Sequence, residues 1–182
     1  ANVSNCVNES AITGKGNDVA GIVAEQQNAG SVKNCTNRGE IRNNTASYGT
    51  AGIVGWIRYN GATKDYPVKN VIEVTGNTNY GKVSGGNDAG GIVGTVYNLG
   101  KVNDNKNFAP SLQAATFAAG IVGNAQFTET AVGLDLQNSV EVKNNVSTTT
   151  LDQMTVNGTC KDLYVYINNQ EYVTAENNRN AE

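Results

Sequence analysis

The sequence predicts an all-β fold, a parallel β-helix (β-solenoid) of about four to five coils with a degenerate C-terminal coil or cap. A glycine-centred segment recurs along the chain, and repeats of this length are typical of solenoids. The 182 residues include 28 Asn and 21 Gly, which favour turns. Apolar residues come in short runs that lack the i, i+3, i+4, i+7 spacing of an amphipathic helix. Short strands joined by polar turns therefore fit the sequence better than helices.

The recurring segment has a small residue, a glycine, Ile, Val and a final Gly or Ala. Its central glycines are 31, 39 and 29 positions apart, and its four copies are Ala20–Ala24, Ala51–Gly55, Gly90–Gly94 and Ala119–Gly123. Stacked in register, the isoleucines form one column, which we expect in the core, namely Ile22, Ile53, Ile92 and Ile121. In an extended segment the valines face the opposite side, and the sequence does not decide whether that side is buried. The glycine between the small residue and Ile indicates close approach of another backbone.

A second shared element opens the first two repeats. Val3–Asn8 and Val32–Asn37 match at the Val, the first Asn, the Cys and the final Asn. A third copy begins at Val68, which puts Val71 at the Cys position and predicts a small apolar site there. With a short β-like stretch between the two elements, each repeat reads as three short strands. We assign residues 1–130 to solenoid repeats and 131–182 to a degenerate final coil and capping element of the same domain.

The run from Val32 to Ile41, followed by Ala51–Gly55, resembles the GLUG-motif repeats of bacterial cell-surface and adhesin-like proteins. That family pattern pairs a Val-x-Asn-Cys-x-Asn segment with a Gly-Gly-Ile-Val-Gly core, and the resemblance covers roughly residues 1–125. It implies an exported bacterial surface protein built from β-solenoid repeats. It supplies no catalytic residues.

Composition excludes several classes of function. The net charge is −3 and the pI is near 5.0, so the chain lacks the basic surface expected of a general nucleic-acid binder. Histidine is absent, which excludes Ser-His-Asp and Cys-His catalysis and the common zinc sites. No apolar run reaches the 18 residues of a transmembrane helix, so we expect no membrane span in this chain.

Cysteines and aspartates give two candidate sites for metals or disulfides. Cys6 and Cys35 occupy matching positions in adjacent repeats, and with Cys160 they are an odd number; stacked free thiols are the favoured interpretation over a disulfide or metal pair. Asp18 and Asp88 each follow a Gly-Asn pair, like the calcium loops of RTX toxins, but the two copies are isolated from each other. Turns capped by their own side chains are the favoured interpretation. We predict no metal and no cofactor.

Three carboxylates in strand-like stretches, Glu40, Glu73 and Glu141, set the enzyme hypothesis. A glycosidase needs two carboxylates held a few ångströms apart in a cleft, and a lyase needs calcium with a base. Charges on the solvated outer face are the ordinary interpretation. The sequence therefore favours a protein that is not an enzyme.

Aromatic residues are few, and three of them, Trp56, Tyr59 and Tyr66, cluster in the second repeat. That repeat is roughly eight residues longer than its neighbours, so we expect these rings to project as a loop, where loops carry binding residues. A Trp or Tyr on a turn stacks on sugar rings. Core packing or turn anchoring is the favoured interpretation of the aromatic residues themselves. Tyr97 and Phe127 follow the next two cores.

These observations predict a non-enzymatic extracellular module of a bacterial surface protein, a structural spacer or adhesin-like. A carbohydrate-binding module acting through Trp56 and its neighbours is the alternative, followed by a glycan-cleaving β-helix enzyme. The expected partners are a glycan or a host or cell-surface protein, and another copy of the chain through the open ends of the solenoid. No nucleic acid partner is expected.

Overall fold

A computed structural model describes residues 1–45, 47–59, 71–126, 139–167 and 172–181. It confirms the predicted all-β parallel solenoid: short strands stack in register into five parallel sheets. Each coil contributes one strand to each sheet, and five complete coils are followed by two strands of a sixth. Among the described residues there is no α-helix, and a 3-10 helix covers Leu151–Gln153.

We number the five sheets in the order in which each coil meets them. Sheet 1 contains β1 (Asn2–Ser4), β6 (Gly30–Lys33), β11 (Ile72–Thr75), β16 (Gly100–Asn103), β21 (Val140–Lys143) and β26 (Val173–Glu176). Sheet 2 contains β2 (Val7–Asn8), β7 (Thr36–Asn37), β12 (Thr78–Asn79), β17 (Lys106–Asn107), β22 (Val146–Ser147) and β27 (Arg179–Asn180).

Sheets 3, 4 and 5 complete each coil. Sheet 3 contains β3 (Ile12–Gly14), β8 (Ile41–Asn43), β13 (Val83–Gly85), β18 (Leu112–Ala114) and β23 (Met154–Val156). Sheet 4 contains β4 (Val19–Ala20), β9 (Gly49–Ala51), β14 (Asp88–Gly90), β19 (Phe117–Ala119) and β24 (Thr159–Lys161). Sheet 5 contains β5 (Val23–Gln27), β10 (Val54–Arg58), β15 (Val93–Tyr97), β20 (Val122–Gln126) and β25 (Tyr164–Ile167).

Each coil has five strands, so the prediction of three is wrong. Strands of two residues, such as β2, are too short to show a period of alternation in the sequence. The glycine-centred segment is also two strands, because β9 ends at Ala51 and β10 begins at Val54. The chain turns at Gly52 and Ile53, so Ile53 and Val54 face the same core instead of opposite sides.

Two apolar cores run along the stack. The larger lies between sheets 1 and 5 and contains both predicted columns: Ile53, Ile92 and Ile121 are fully buried, as are the valines that follow them, whereas Ile22 in the first coil is partly buried. This confirms the isoleucine column and places the valines in the core. The smaller core lies between sheets 3 and 4 and contains Val83, Ala89, Ala109, Leu112, Ala114, Ala118 and Met154.

The opening segment of each repeat is explained by the corner between sheets 1 and 2. One residue of every coil has a positive φ there, and only Asn, Asp or Gly occupies the position, because these residues tolerate the left-handed region. The residues are Asn5 (φ 55), Asn34 (φ 54), Gly76 (φ 69), Asp104 (φ 57), Asn144 (φ 56) and Asn177 (φ 54).

The third copy of the opening segment starts later than the sequence suggests. Val32 pairs with Val74, so Asn77, and not Val71, occupies the position of Cys35. The expectation of a small apolar site is therefore wrong. The backbone N–H of Cys35 donates to Oδ1 of Asn77 (2.9 Å), so the position serves hydrogen bonding between coils.

Two ladders of side chains connect successive coils. At the end of sheet 2, the amide of each Asn donates to Oδ1 of the next: Asn8 to Asn37 (2.7 Å), Asn37 to Asn79 (2.8 Å) and Asn79 to Asn107 (3.0 Å). A second ladder begins at the two cysteines and continues through Asn77, Asn105, Asn145 and Asn178. Every amide of the first ladder between coils 2 and 4 is fully buried, so these bonds form away from water.

The first ladder explains the glycine at the centre of the recurring segment. A Cβ on Gly21 would lie 2.5 Å from Oδ1 of Asn37, and one on Gly52 would lie 2.5 Å from the carbonyl oxygen of Gly91 while also overlapping the Asn79 side chain. Real Cβ atoms do not approach that closely. The predicted close approach of another backbone to the glycine is thus confirmed, and the amide of a ladder asparagine approaches the glycine as well.

We predict that Asn79→Ala destabilises the domain strongly. The Asn79 amide bonds to Asn37, Asn107 and both backbone groups of Gly81. Removing it leaves buried polar groups unpaired, which should lower the free energy of unfolding by about 3 kcal/mol or more. Urea denaturation measures this change.

The matched control is Asn17→Ala, because Asn17 is exposed. It should change the free energy of unfolding by less than about 0.5 kcal/mol. Equal stability of the two variants would contradict the role of the ladder.

Candidate functional site

Sheets 4 and 5 pack face to face, and glycines make this contact close. A Cβ on Gly94 would lie 2.6 Å from the Gly55 carbonyl oxygen and 2.7 Å from Cα of Gly49. Because backbone meets backbone here, the larger side chains lie at the border of this contact, just before β9 and in the second half of β10. We call this line, which follows the axis of the stack, the seam.

Aromatic side chains gather at the seam in coils 2 and 3. The rings of Tyr48 and Trp56 stack with centroids 4.7 Å apart and planes 18° from parallel. Tyr97, one coil further, meets Trp56 edge-on at 6.2 Å and 80°. The guanidinium carbon of Arg58 lies 4.7 Å from the centroid of the Trp56 ring. Since Tyr48 covers one face of the indole, the guanidinium takes the other, in cation–π geometry.

Two carboxylates from coil 1 complete this group. The backbone N–H of Gly49 donates to Oδ1 of Asp18 (3.2 Å), and Oε1 of Glu25 lies 3.8 Å from Nη1 of Arg58. Glu25 is also the neighbour of Trp56 across the strand pair. We name the set the seam cluster: Asp18, Glu25, Tyr48, Trp56, Arg58 and Tyr97.

Asp18 titrates near neutral pH. Burial raises the pKa of its carboxyl group from 3.8 to about 6, against the lowering effect of the Gly49 N–H; Glu25 raises it further and Arg58 lowers it. The seam cluster therefore carries one guanidinium and one or two carboxylates, according to pH.

Asp88 lies at the same seam, two coils after Asp18, and hydrogen bonds hold its carboxylate between the two sheets. Its Oδ2 accepts from Oγ1 of Thr95 (2.7 Å) and Nδ2 of Asn124 (3.1 Å). Burial raises the pKa of this carboxyl group, and the two hydrogen bonds act to lower it. Asp88 is 2% exposed, so it serves to join sheets 4 and 5 instead of meeting a ligand.

The predicted aromatic site is only partly where the sequence puts it. Trp56 lies in β10 and is 8% exposed, and Tyr59 directly follows that strand and is fully buried. The expectation that these rings project as a loop is wrong for both, because sheet 5 continues through Arg58 instead of ending at the glycine-centred segment. Tyr66 and Phe127 lie outside the described residues.

Tyr48 is the aromatic residue that sequence reasoning missed. It is 45% exposed and stands where the neighbouring repeats have the Asn of their Asn-Asp turns. That replacement was the one available signal, because a single Tyr in a turn has no repeat pattern to mark it.

A second concave surface lies beside sheet 3 and has a volume of about 320 Å³. Its lining is mainly amide and hydroxyl groups with one guanidinium, from Arg42, Asn43, Asn44, Thr45, Ser84, Gln113 and Asn157. These residues include no carboxylate and no aromatic ring. The cleft offers hydrogen bonds but neither an acid–base pair nor a stacking surface, so the seam cluster is the stronger candidate.

The three carboxylates of the enzyme hypothesis are separate and ion-paired. Glu73 pairs with Lys33 (2.5 Å), Glu141 with Lys143 (3.1 Å) and Glu40 with Lys82 (4.0 Å). Glu73 and Glu141 share the outer face of sheet 1, but the rung of Lys101 lies between them. Burial acts to raise the pKa of Glu141, while hydrogen bonds from Asn103 and Lys143 bring it below its usual value.

Asp18 and Asp88 do not converge on a metal site. Both align with Gly49, one coil to either side of it, so roughly 10 Å separates their rungs. No cluster of three His, Cys, Asp or Glu that could hold a metal is found in the described part of the chain. The hydrogen bond that Asp18 accepts comes from Gly49 of the next coil, so it is not the predicted cap of its own turn.

The cysteines are free thiols, as the favoured interpretation predicts. The Cys6 N–H donates to Sγ of Cys35 (3.4 Å), and the two thiols donate to the carbonyl oxygens of Ser4 (3.4 Å) and Lys33 (3.3 Å). Burial raises the pKa of the Cys35 thiol, which keeps it protonated.

Comparisons with family models, with curated proteins and with solved structures found no match. Within the described residues, the structure contains no helix with the length and hydropathy that crossing a membrane requires.

We predict that Asp18 makes stability fall as pH rises. Its pKa in the folded state is above its usual 3.8, so folding favours the protonated carboxyl; the free energy of unfolding should decrease from about pH 4 and level off above about pH 6. Asp18→Asn removes this titration. In urea denaturation the variant should therefore gain more stability over the wild type at pH 7 than at pH 4.

Asp162→Asn is the control, because Asp162 is exposed. The free energy of unfolding of Asp162→Asn should differ little from that of the wild type at both pH 4 and pH 7. A stability difference for Asp18→Asn that is the same at pH 4 and pH 7 would contradict the assignment.

We also predict that a chelator and a reductant leave the melting temperature unchanged. The three thiols are free, and the two aspartates lie on separate rungs. Thermal unfolding with added calcium is the complementary measurement. A rise of several degrees would reveal a cation site, because a ligand that binds only the native state stabilises it.

Proposed function

We propose that the chain is a non-enzymatic module of an extracellular bacterial surface protein, in which a rigid solenoid acts as a spacer and displays an adhesive surface. The observation that carries the proposal is the unbroken stack of five complete coils, joined by two ladders of buried side-chain hydrogen bonds. Such hydrogen bonds fix each coil on the next, and we expect the stack to be rigid for that reason.

The distribution of carboxylates supports the non-enzymatic part of the proposal. Glu40, Glu73 and Glu141 each pair with a lysine, and none lines the cleft beside sheet 3. Hydrolysis of a glycosidic bond needs two carboxyl groups on opposite sides of one bond. Ion pairs distributed over outer faces do not provide that arrangement.

The resemblance of Val32–Ile41 and Ala51–Gly55 to GLUG-motif repeats supports the location at a bacterial cell surface. The structure gives the two Asn, the Cys and the central Gly of that pattern a physical reason: the left-handed corner, the two ladders, and the glycine beside the ladder amide. The partners that we propose are a glycan or a host or cell-surface protein. The open ends of the stack, where Val7 is 58% exposed, are the proposed route to self-association.

Carbohydrate binding is the second candidate function. It is favoured by the seam cluster, in which an exposed tyrosine ring rests on a buried tryptophan with charged groups beside it. Binding of this kind is compatible with a spacer, because it requires no conformational change of the solenoid.

Surface labelling tests the proposal. In intact cells of the source organism, a membrane-impermeant amine reagent should label the parent protein, because Lys15, Lys106 and Lys161 are exposed. A cytoplasmic enzyme of the same cells serves as the control. Labelling that appears only after lysis would contradict the proposed location.

Turnover assays test the non-enzymatic part. A panel of neutral and acidic polysaccharides incubated with the domain should release no new reducing or unsaturated ends. Glu73→Gln should behave like the wild type in the same assay. Release of ends that Glu73→Gln or Glu141→Gln abolishes would establish a glycan-cleaving enzyme instead.

A further inference from the structure

Among the tyrosines whose exposure the structure describes, Tyr48 and Tyr80 are the most exposed, at 45% and 46%, and their surroundings differ. Tyr80 belongs to a column along the stack: it stacks on Phe108 of the next coil (5.3 Å, 22°), and the rung on its other side carries Arg38. Tyr48 stacks on Trp56 of its own coil. Its second face therefore points away from the protein, because the indole covers the first.

The support under Tyr48 is rigid. Trp56 lies in β10 and is paired on both sides, to Glu25 in coil 1 and Thr95 in coil 3. Tyr48 and the Arg58 guanidinium enclose its indole from either face, and Tyr97 meets its edge. A ring fixed in this way loses little conformational entropy when a ligand stacks on it.

One donor of the seam cluster is unsatisfied. Nε1 of Trp56 is buried and has no hydrogen-bond acceptor. An unpaired buried N–H costs free energy, and a water molecule or a ligand hydroxyl that reached it would recover part of that cost. Packing alone thus leaves this cluster incomplete, in contrast to the fully bonded asparagine ladders.

The charges beside the ring restrict the class of ligand. The carboxylates of Asp18 and Glu25 are hydrogen-bond acceptors, and the single cation, Arg58, is already close to Glu25. Carboxylate oxygens accept bonds from sugar hydroxyls, whereas they repel the carboxylates of uronic acids. A neutral sugar ring fits both features, because it has an apolar face for the Tyr48 ring and no charge that the carboxylates would repel.

We propose that the seam cluster is a binding site for neutral hexopyranose polymers, in which a sugar ring stacks on the outer face of Tyr48 and the carboxylates of the same cluster, Asp18 and Glu25, disfavour acidic sugars. Trp56 is a positioning residue that holds the tyrosine. The proposal rests on carbohydrate binding as the function of this surface, and it moves the sugar contact from Trp56 to Tyr48.

Affinity electrophoresis and calorimetry with three neutral polymers, a β-glucan, a mannan and soluble chitin oligosaccharides, test the proposal, with polygalacturonate as the acidic comparison. We expect the wild type to bind at least one neutral polymer and to bind polygalacturonate more weakly. Tyr48→Ala should weaken that binding by about tenfold or more, since an aromatic stacking contact is of that size. Tyr48→Phe should retain it.

Tyr80→Ala is the matched control, because it removes a tyrosine of equal exposure from another surface. It should leave the affinity unchanged, and circular dichroism and the melting temperature should show that both alanine variants are folded. Three results would each overturn the proposal: no neutral polymer binds, polygalacturonate binds best, or Tyr48→Ala binds like the wild type. Surface labelling of cells does not depend on these results, so the proposed binding site and the proposed cellular location can be refuted independently.

Discussion

The fold depends on one crossing between successive coils, where the asparagine at the end of sheet 2 meets the glycine between sheets 4 and 5 of the coil before it; Ser147 takes the place of the asparagine at the last crossing. The amide of Asn79 satisfies the backbone of Gly81 and bonds to the asparagines above and below, and it fills the space that a side chain on Gly52 would need. The ladder and the glycine column therefore require each other. The crossing also separates the two apolar cores. The asparagine ladder can lie beside both cores because its amides are hydrogen-bonded to one another and need no water.

The small residues of sheets 4 and 5 also create the seam. Sheet 4 buries Ala89 toward sheet 3 and presents Gly90 to sheet 5, so both of its faces are covered and its backbone lies at the centre of the coil. Bulky groups are excluded from this contact. Trp56 and Tyr48 lie at its border, where a buried strand reaches solvent over the length of a few residues. A rigid exposed ring is thus a direct result of close packing further inside.

Much of this architecture could be predicted from the sequence, because repetition makes the pattern visible. The isoleucine column and the close approach at the central glycine follow from the spacing of the recurring segment, and both are confirmed. The register of the third repeat could not be predicted, because Val68–Val71 imitates an opening segment that really starts at Val74. The candidate site could not be predicted either. Until the position of β10 is known, Trp56 can be assigned to a loop as well as to the core, and Tyr48 is distinguished only by its stacking on Trp56.

Both side-chain ladders have a direction. In each, the donor belongs to the earlier coil and the acceptor to the later one, from Asn8 to Asn37 and from Asn77 to Asn105. Each inner coil thus presents amide donors to the coil after it and amide acceptors to the coil before it. A coil inserted in the reverse orientation would place like groups opposite each other, so the ladders admit only one orientation of the coils along the axis.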